Sequence, residues 1–298
     1  MKRIVSLLPS ATDTVGALGL ASWLVGVSHE CDWPESVRSL PRLTRSRIAA
    51  DLSPARIDSL VSQSLHAHRS LYTLDVDLLR ALRPDVILTQ ELCDVCAVNY
   101  DQVLGAARLL HQDGGEPTIV SLEPRDLAGV LEAVQVVADE LGESERGARL
   151  VAALRGRLAE LRERGERIGA RRSVLVLEWP DPPFAGGHWV AEMVEIAGGR
   201  NVPLQAALRG RPSSRVSWEQ IQESDPDLII VAPCGYDRAR AAAAIAELGG
   251  RAEWERLRAV REGRVFPVDA NSHFSRPGPR LIEGVAELQA IFQAVSAA

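Results

Sequence analysis

Cys93 and Cys96 stand three positions apart, near enough for both thiolates to hold one soft metal ion such as zinc, iron or copper(I). His29 and Cys31, from another loop, add a neutral imidazole and a third thiolate. His29, Cys31, Cys93 and Cys96 therefore make a candidate tetrahedral set for zinc or iron. The distance along the chain between the two pairs fits no zinc-finger spacing. Two other readings stay open: a redox pair at Cys93 and Cys96, and buried, inert thiols.

A second group could bind rather than react. Glu178-Trp179-Pro180-Asp181-Pro182-Pro183-Phe184-Ala185-Gly186-Gly187-His188-Trp189 reads as a loop stiffened by prolines, with two glycines that let a ligand approach and rings that offer flat apolar area. Glu178 adds a carboxylate, and His188 can donate a hydrogen bond or ligate a metal centre. The alternative is that the tryptophans only pack beneath the loop. Tyr236, His273, Phe274 and Arg276 occupy later loops, and Arg276 and Arg280 either bind a carboxylate or phosphate or pair with nearby acids. The chain has only six Trp, three Tyr and four Phe, so their gathering in these loops carries information. No G-x-S-x-G elbow, H-E-x-x-H, Walker A or G-x-G-x-x-G stretch occurs, so hydrolysis is not indicated and no catalytic residue is assigned.

These loops follow segments that read as strands. Strands are expected at Arg3 to Leu8, Leu24 to Ser28, Pro84 to Thr89 and Pro117 to Ser121, then at Ser173 to Leu177, Asp227 to Ala232 and Arg264 to Val268, with helical patterns between them. Pro9 to Thr12 reads as a turn capping a helix from Asp13 to Leu18. Strand–helix alternation in both halves predicts parallel sheets in an α/β fold. Ligands in such sheets bind at the carboxyl ends of strands, where all four cysteines and His29, His188 and His273 fall. Between the halves, residues 142 to 171 predict a long helix with Leu150, Val151, Leu154, Leu158 and Leu161 on one stripe and Ser144 as its cap. The expected organisation is a lobe over 1–141, a spine over 142–171 and a lobe over 172–298.

A chain of 298 residues is long enough for two cores. Its 34 basic and 40 acidic residues leave a net charge of −6, which argues against a general nucleic-acid binder. No apolar run approaches the ~20 residues of a membrane span. MKRIVSLLPS reads as a first strand rather than a leader, so the expected location is cytoplasmic, or periplasmic or cell-surface if the start lies further upstream.

Arg3-Ile4-Val5-Ser6-Leu7-Leu8-Pro9-Ser10-Ala11-Thr12 resembles the opening of cobalamin- and iron-siderophore-type substrate-binding proteins of ABC importers, the class III group with a helical backbone. Pro84-Asp85-Val86-Ile87, Asp225-Pro226-Asp227-Leu228-Ile229-Ile230 and the spine helix are similar to the same family. SHECDWP, ELCDVCAV, EWPDPPFAGGHW and NSHFSRPGPR resemble a signal-less subgroup labelled cobalamin-binding. The resemblance implies two α/β lobes joined by one rigid helix. It also implies a cobalamin-like corrinoid or metal chelate held without catalysis in the cleft, and an ABC permease as partner if the protein is exported. The second expectation is a cytoplasmic metalloprotein or metal-dependent enzyme built on the Cys/His set.

Overall fold

The computed structural model describes residues 1–49, 51–67, 70–90, 100–112, 117–169 and 171–297. It is a mixed α/β chain with parallel sheet flanked by helices, divided into two compact units. The first unit comprises Met1–Pro124 and Gly129–Ala152, the second Arg125–Ala128 and Ala153–Ala298.

The first unit contains β1 (Ile4–Ser6), β2 (Leu24–Val27), β3 (Thr44–Ser46), β4 (Tyr72–Leu74), β5 (Val86–Thr89) and β6 (Thr118–Ser121). Four of them form a parallel sheet in the order β2-β1-β5-β6. Successive residues serve opposite faces: Ile4, Val86 and Leu88 join one apolar cluster, Val5 and Ile87 another. Both faces being covered, the strands read as unbroken apolar runs rather than alternating ones. β3 and β4 form a separate antiparallel pair that sequence patterning did not reveal, since three residues per strand are too few to show a period.

The first helix begins at Pro9 and runs to Ala17, so Pro9 to Thr12 are helical and not a capping turn. Leu8 is the extended residue before it. Proline suits the first helical position because its fixed φ matches and its missing N–H has no intrahelical partner there anyway.

The second unit contains β7 (Ser173–Pro180), β8 (Pro183–Ala185), β9 (Arg200–Asn201), β10 (Ser214–Arg215), β11 (Leu228–Val231) and β12 (Val265–Pro267). β7, β11 and β12 are parallel neighbours, and β9 pairs parallel with the start of β7. β8 and β10 add antiparallel strands. The stretch expected to be a loop from Glu178 onwards is thus partly sheet: β7 continues to Pro180, turns at Asp181-Pro182 and returns as β8. Pro180 faces Pro183 at the hairpin's end, where ladder donors are dispensable.

The long helix runs Ser144–Glu166, with Ser144 as its first residue and not its cap. Val151 and Leu161 are buried, while Leu154 and Leu158 are half-buried. At Gly165 the helix meets backbone: a Cβ there would lie 2.4 Å from the Ile196 carbonyl oxygen and 2.9 Å from the Gly198 nitrogen.

Candidate ligand-binding site

The end of β7 and the segments after β11 and β12 are tied to one another by backbone in the second unit. The Cys234 N–H, after β11, donates to the Glu178 carbonyl at 3.2 Å. The Asn271 N–H, after β12, donates to the Tyr236 carbonyl at 2.9 Å. Trp189 Nε1–H donates to the Phe274 carbonyl at 2.8 Å. Residues as far as 85 positions apart along the chain are thereby neighbours. Eight of the nine sequence-derived binding residues fall in this cluster, and Phe184 joins them through its pairing with Trp179 across the hairpin.

Glu178 owes its position to a bulge. The β7–β8 register slips between Leu177 and Trp179, so two residues oppose one and the side chain of the extra residue is re-aimed. Burial pushes the Glu178 carboxyl above the usual range, against the opposing pull of the Ser213 hydroxyl and the Gly187 N–H. The residue keeps partial exposure. Gly187 is needed because a Cβ would lie 2.4 Å from the Arg211 carbonyl oxygen.

The rings divide into two sets. Trp189 (8% exposed), Phe274 (3%) and Tyr236 (3%) are buried, as is Arg276, whose Nη2 donates to Asn271 Oδ1 at 3.0 Å. Of the rings in the 179–189 stretch, Trp189 therefore offers no open apolar area, and Tyr236 and Phe274 are buried as well. Trp179, Phe184 and His188 remain half-buried. Trp179 meets the Tyr236 ring edge-on at 5.4 Å, with its Nε1–H on the Asp181 carbonyl at 3.1 Å. His273, also half-buried, lies between Glu287 Oε2, 3.2 Å from Nδ1, and Arg280 Nη2, 3.3 Å from Nε2.

Sequence reading missed Arg240, whose guanidinium carbon sits 3.6 Å from the centre of the Tyr236 ring. The signal was present: Asp237 caps the helix Arg238–Leu248, which puts Arg240 one turn beyond Tyr236. Burial pushes the Tyr236 phenol up, with Arg240 opposing. Ser213 and Glu287 were also missed, having no distinguishing spacing.

In the first unit, His29 and Cys31 are committed locally. The His29 backbone N–H lies 3.0 Å from Thr44 Oγ1 and its Nδ1 2.7 Å from the same atom, with the ring 5.5 Å from Tyr72. Burial, then Arg42, hold its pKa down. Cys31 is 1% exposed within an apolar cluster, with Sγ 3.0 Å from Thr12 Oγ1 and 3.3 Å from Ser28 Oγ. Among the described residues no three His, Cys, Asp or Glu side chains come together as a metal site. The expected metal-binding role of His29 and Cys31 is thus not supported. Cys93 and Cys96 lie outside the described residues. Cys234 is exposed.

A family model described as "Periplasmic binding protein" matches residues 4–271. The ABC transporter substrate-binding lipoprotein YvrC of Bacillus subtilis is 25% identical over 96% of this chain and 78% of its own length. Among solved structures, the periplasmic heme-binding protein RhuT of Roseiflexus sp. RS-1 superposes with a TM-score of 0.71 at 23% identity, covering 99% of both chains. The periplasmic vitamin B12 binding protein BtuF of Vibrio cholerae does so with 0.68 at 22% identity, covering 99% of this chain and 98% of that one. The cytoplasmic location expected from the opening residues is overturned, because these relatives are periplasmic proteins and a lipoprotein and point to a place outside the cytoplasm. Among the described residues no helix is long and apolar enough to cross a membrane.

Proposed function

Since the chain belongs to the periplasmic binding protein family, whose model spans residues 4–271, we propose that it is a non-catalytic substrate-binding protein for a corrinoid or another metal-chelate macrocycle. The macrocycle lies against the β7–β8 hairpin and the segments after β8, β11 and β12 of the second unit, and an ABC permease receives it. The observation that carries this reading is the cluster itself: a half-exposed Trp179 braced edge-on by a buried Tyr236, with Arg240 on that ring. A broad, amphipathic ring system needs a rigid apolar wall with a few polar anchors, and this cluster supplies both. The vitamin B12 and heme ligands of the structural neighbours have that shape in common.

In this reading Trp179, Phe184, His188, His273 and the Glu178 carboxyl touch the ligand. Trp189, Tyr236, Phe274 and Arg276 hold the loops that present them. Absorbance titration with cyanocobalamin, dicyanocobinamide and hemin is the test. At least one binds saturably, and Trp179→Ala weakens it by roughly tenfold, the loss of one aromatic contact. No binding of any of the three at high micromolar concentration rejects the reading.

A further inference from the structure

Segments 178–189, 233–240 and 269–280 carry the cluster and hold four acids: Glu178, Asp181, Asp237 and Asp269. Three of the four are spent. Asp181 pairs with Arg251. Asp237 Oδ1 accepts the Arg240 N–H at 2.8 Å, and Asp269 Oδ1 accepts the Ser272 N–H at 3.0 Å, each at the start of a helix. Among the described residues no arginine, lysine or histidine pairs with Glu178. The cations of the same segments are engaged elsewhere: Arg240 over the Tyr236 ring, Arg276 on Asn271, Arg280 on His273 and Arg238 on Glu287.

The fold nevertheless holds this residue in place. Glu178 is the extra residue of the β7–β8 bulge, and its carbonyl accepts the Cys234 N–H at 3.2 Å, so its backbone is fixed from the segment after β11. Its neighbour Trp179 is braced by the Tyr236 ring. Glu178 is half-buried, and neither carboxyl oxygen is among the buried atoms without a partner, so both reach solvent. The help it receives is neutral: the Ser213 hydroxyl and the Gly187 N–H, the latter shared with Ser213 Oγ at 3.0 Å. A carboxyl fixed beside Trp179 without a cation keeps hydrogen-bonding capacity that a ligand can meet.

A primary carboxamide meets it in either protonation state. Ionised, the carboxyl accepts the amide N–H; protonated, it accepts that N–H and donates to the amide carbonyl, two bonds that close a ring. A carboxylate arm pairs with it only if the two groups share one proton, because like charges side by side repel.

We propose that Glu178 is the residue by which this site selects macrocycles edged with primary carboxamides, as corrins are, over macrocycles edged with carboxylates, as hemin is. The selection rests on the macrocycle reading above and narrows it. It has an attractive part, the amide bond, and a repulsive part, the rejected acid, and discrimination between similar ligands draws on both.

The test sets dicyanocobinamide against dicyanocobyrinic acid, a corrin with carboxylates in place of the carboxamides, in mildly alkaline buffer where a proton to share is scarce. The wild type binds the amide form about tenfold more tightly. Glu178→Gln, which keeps the shape and removes the charge, raises affinity for the acid form about tenfold, a gain that no loss of folding can produce. Glu178→Ala weakens the amide form about tenfold. Equal affinity for the two corrins, a preference for the acid form, or a ratio unchanged by Glu178→Gln overturns the selection but leaves macrocycle binding standing. Saturable binding of hemin or cyanocobalamin with neither corrin bound does the same. Binding of none of the four overturns both.

Discussion

At the scale of single residues, Glu178 is a group whose ionisation the fold resists. Its carboxyl is raised above 4.5 by burial, so the folded protein binds its proton more tightly than the unfolded chain does. Where the folded state holds the extra proton, stability falls with rising pH. That window opens at the ordinary carboxylate value and closes at the raised one; below it the stabilisation is complete. Glu178→Gln keeps the size and removes the titration. The melting temperature of the variant relative to wild type is therefore expected to climb as pH rises from about 4.5 through the raised value, then level off. A constant difference across that range would show that the carboxyl titrates normally. The aromatic residues at this scale teach a different lesson. Tyr236 and Phe274 do follow strands, as expected, but Trp179 and Phe184 lie within β7 and β8, and which rings are buried was not legible. Trp179 and Trp189 look alike in sequence, yet one is half-exposed and the other is consumed by its bond to the Phe274 carbonyl.

At the scale of elements, strand–helix alternation was readable because buried parallel strands give unbroken apolar runs, such as Ile229-Ile230-Val231 in β11. Helix starts were less readable: the caps expected at Pro9 to Thr12 and at Ser144 are helical residues, while the side-chain caps at Ser217, Asp75 and Asp237 were not singled out. The β7–β8 hairpin was not. Three prolines and two glycines between 180 and 187 argue against strand on propensity, and only pairing across the turn overrides that. The long helix offers a paired test. Gly165 touches the backbone of Ile196 and Gly198, so Gly165→Ala is expected to cost about 1–3 kcal/mol in urea denaturation. Gly156 on the same helix has nothing within 4 Å, so Gly156→Ala is expected to gain about 0.5–1 kcal/mol from helix propensity. Equal effects at the two positions would mean that Gly165 makes no close contact.

At the scale of the whole molecule, two α/β units and membership of the periplasmic binding protein family agree with the resemblance carried by RIVSLLPSAT and its companion stretches. The Cys/His reading went further than spacing allows. A C-x2-C pair states how close two thiolates are to each other and nothing about their surroundings, and the buried Cys31 thiol lies beside the Thr12 and Ser28 hydroxyls. Location was misjudged for a related reason, since the first ten residues report a strand and carry no further information on destination. The account turns on one claim, that the β7–β8 hairpin and the segments after β8, β11 and β12 grip a flat metal-chelate macrocycle. Calorimetric titration of wild type and Trp179→Ala with the tightest of cyanocobalamin, dicyanocobinamide and hemin measures it directly. Saturable one-to-one binding by the wild type, weakened about tenfold in a variant whose melting temperature is unchanged, is the predicted result. Equal binding by the two proteins would contradict it.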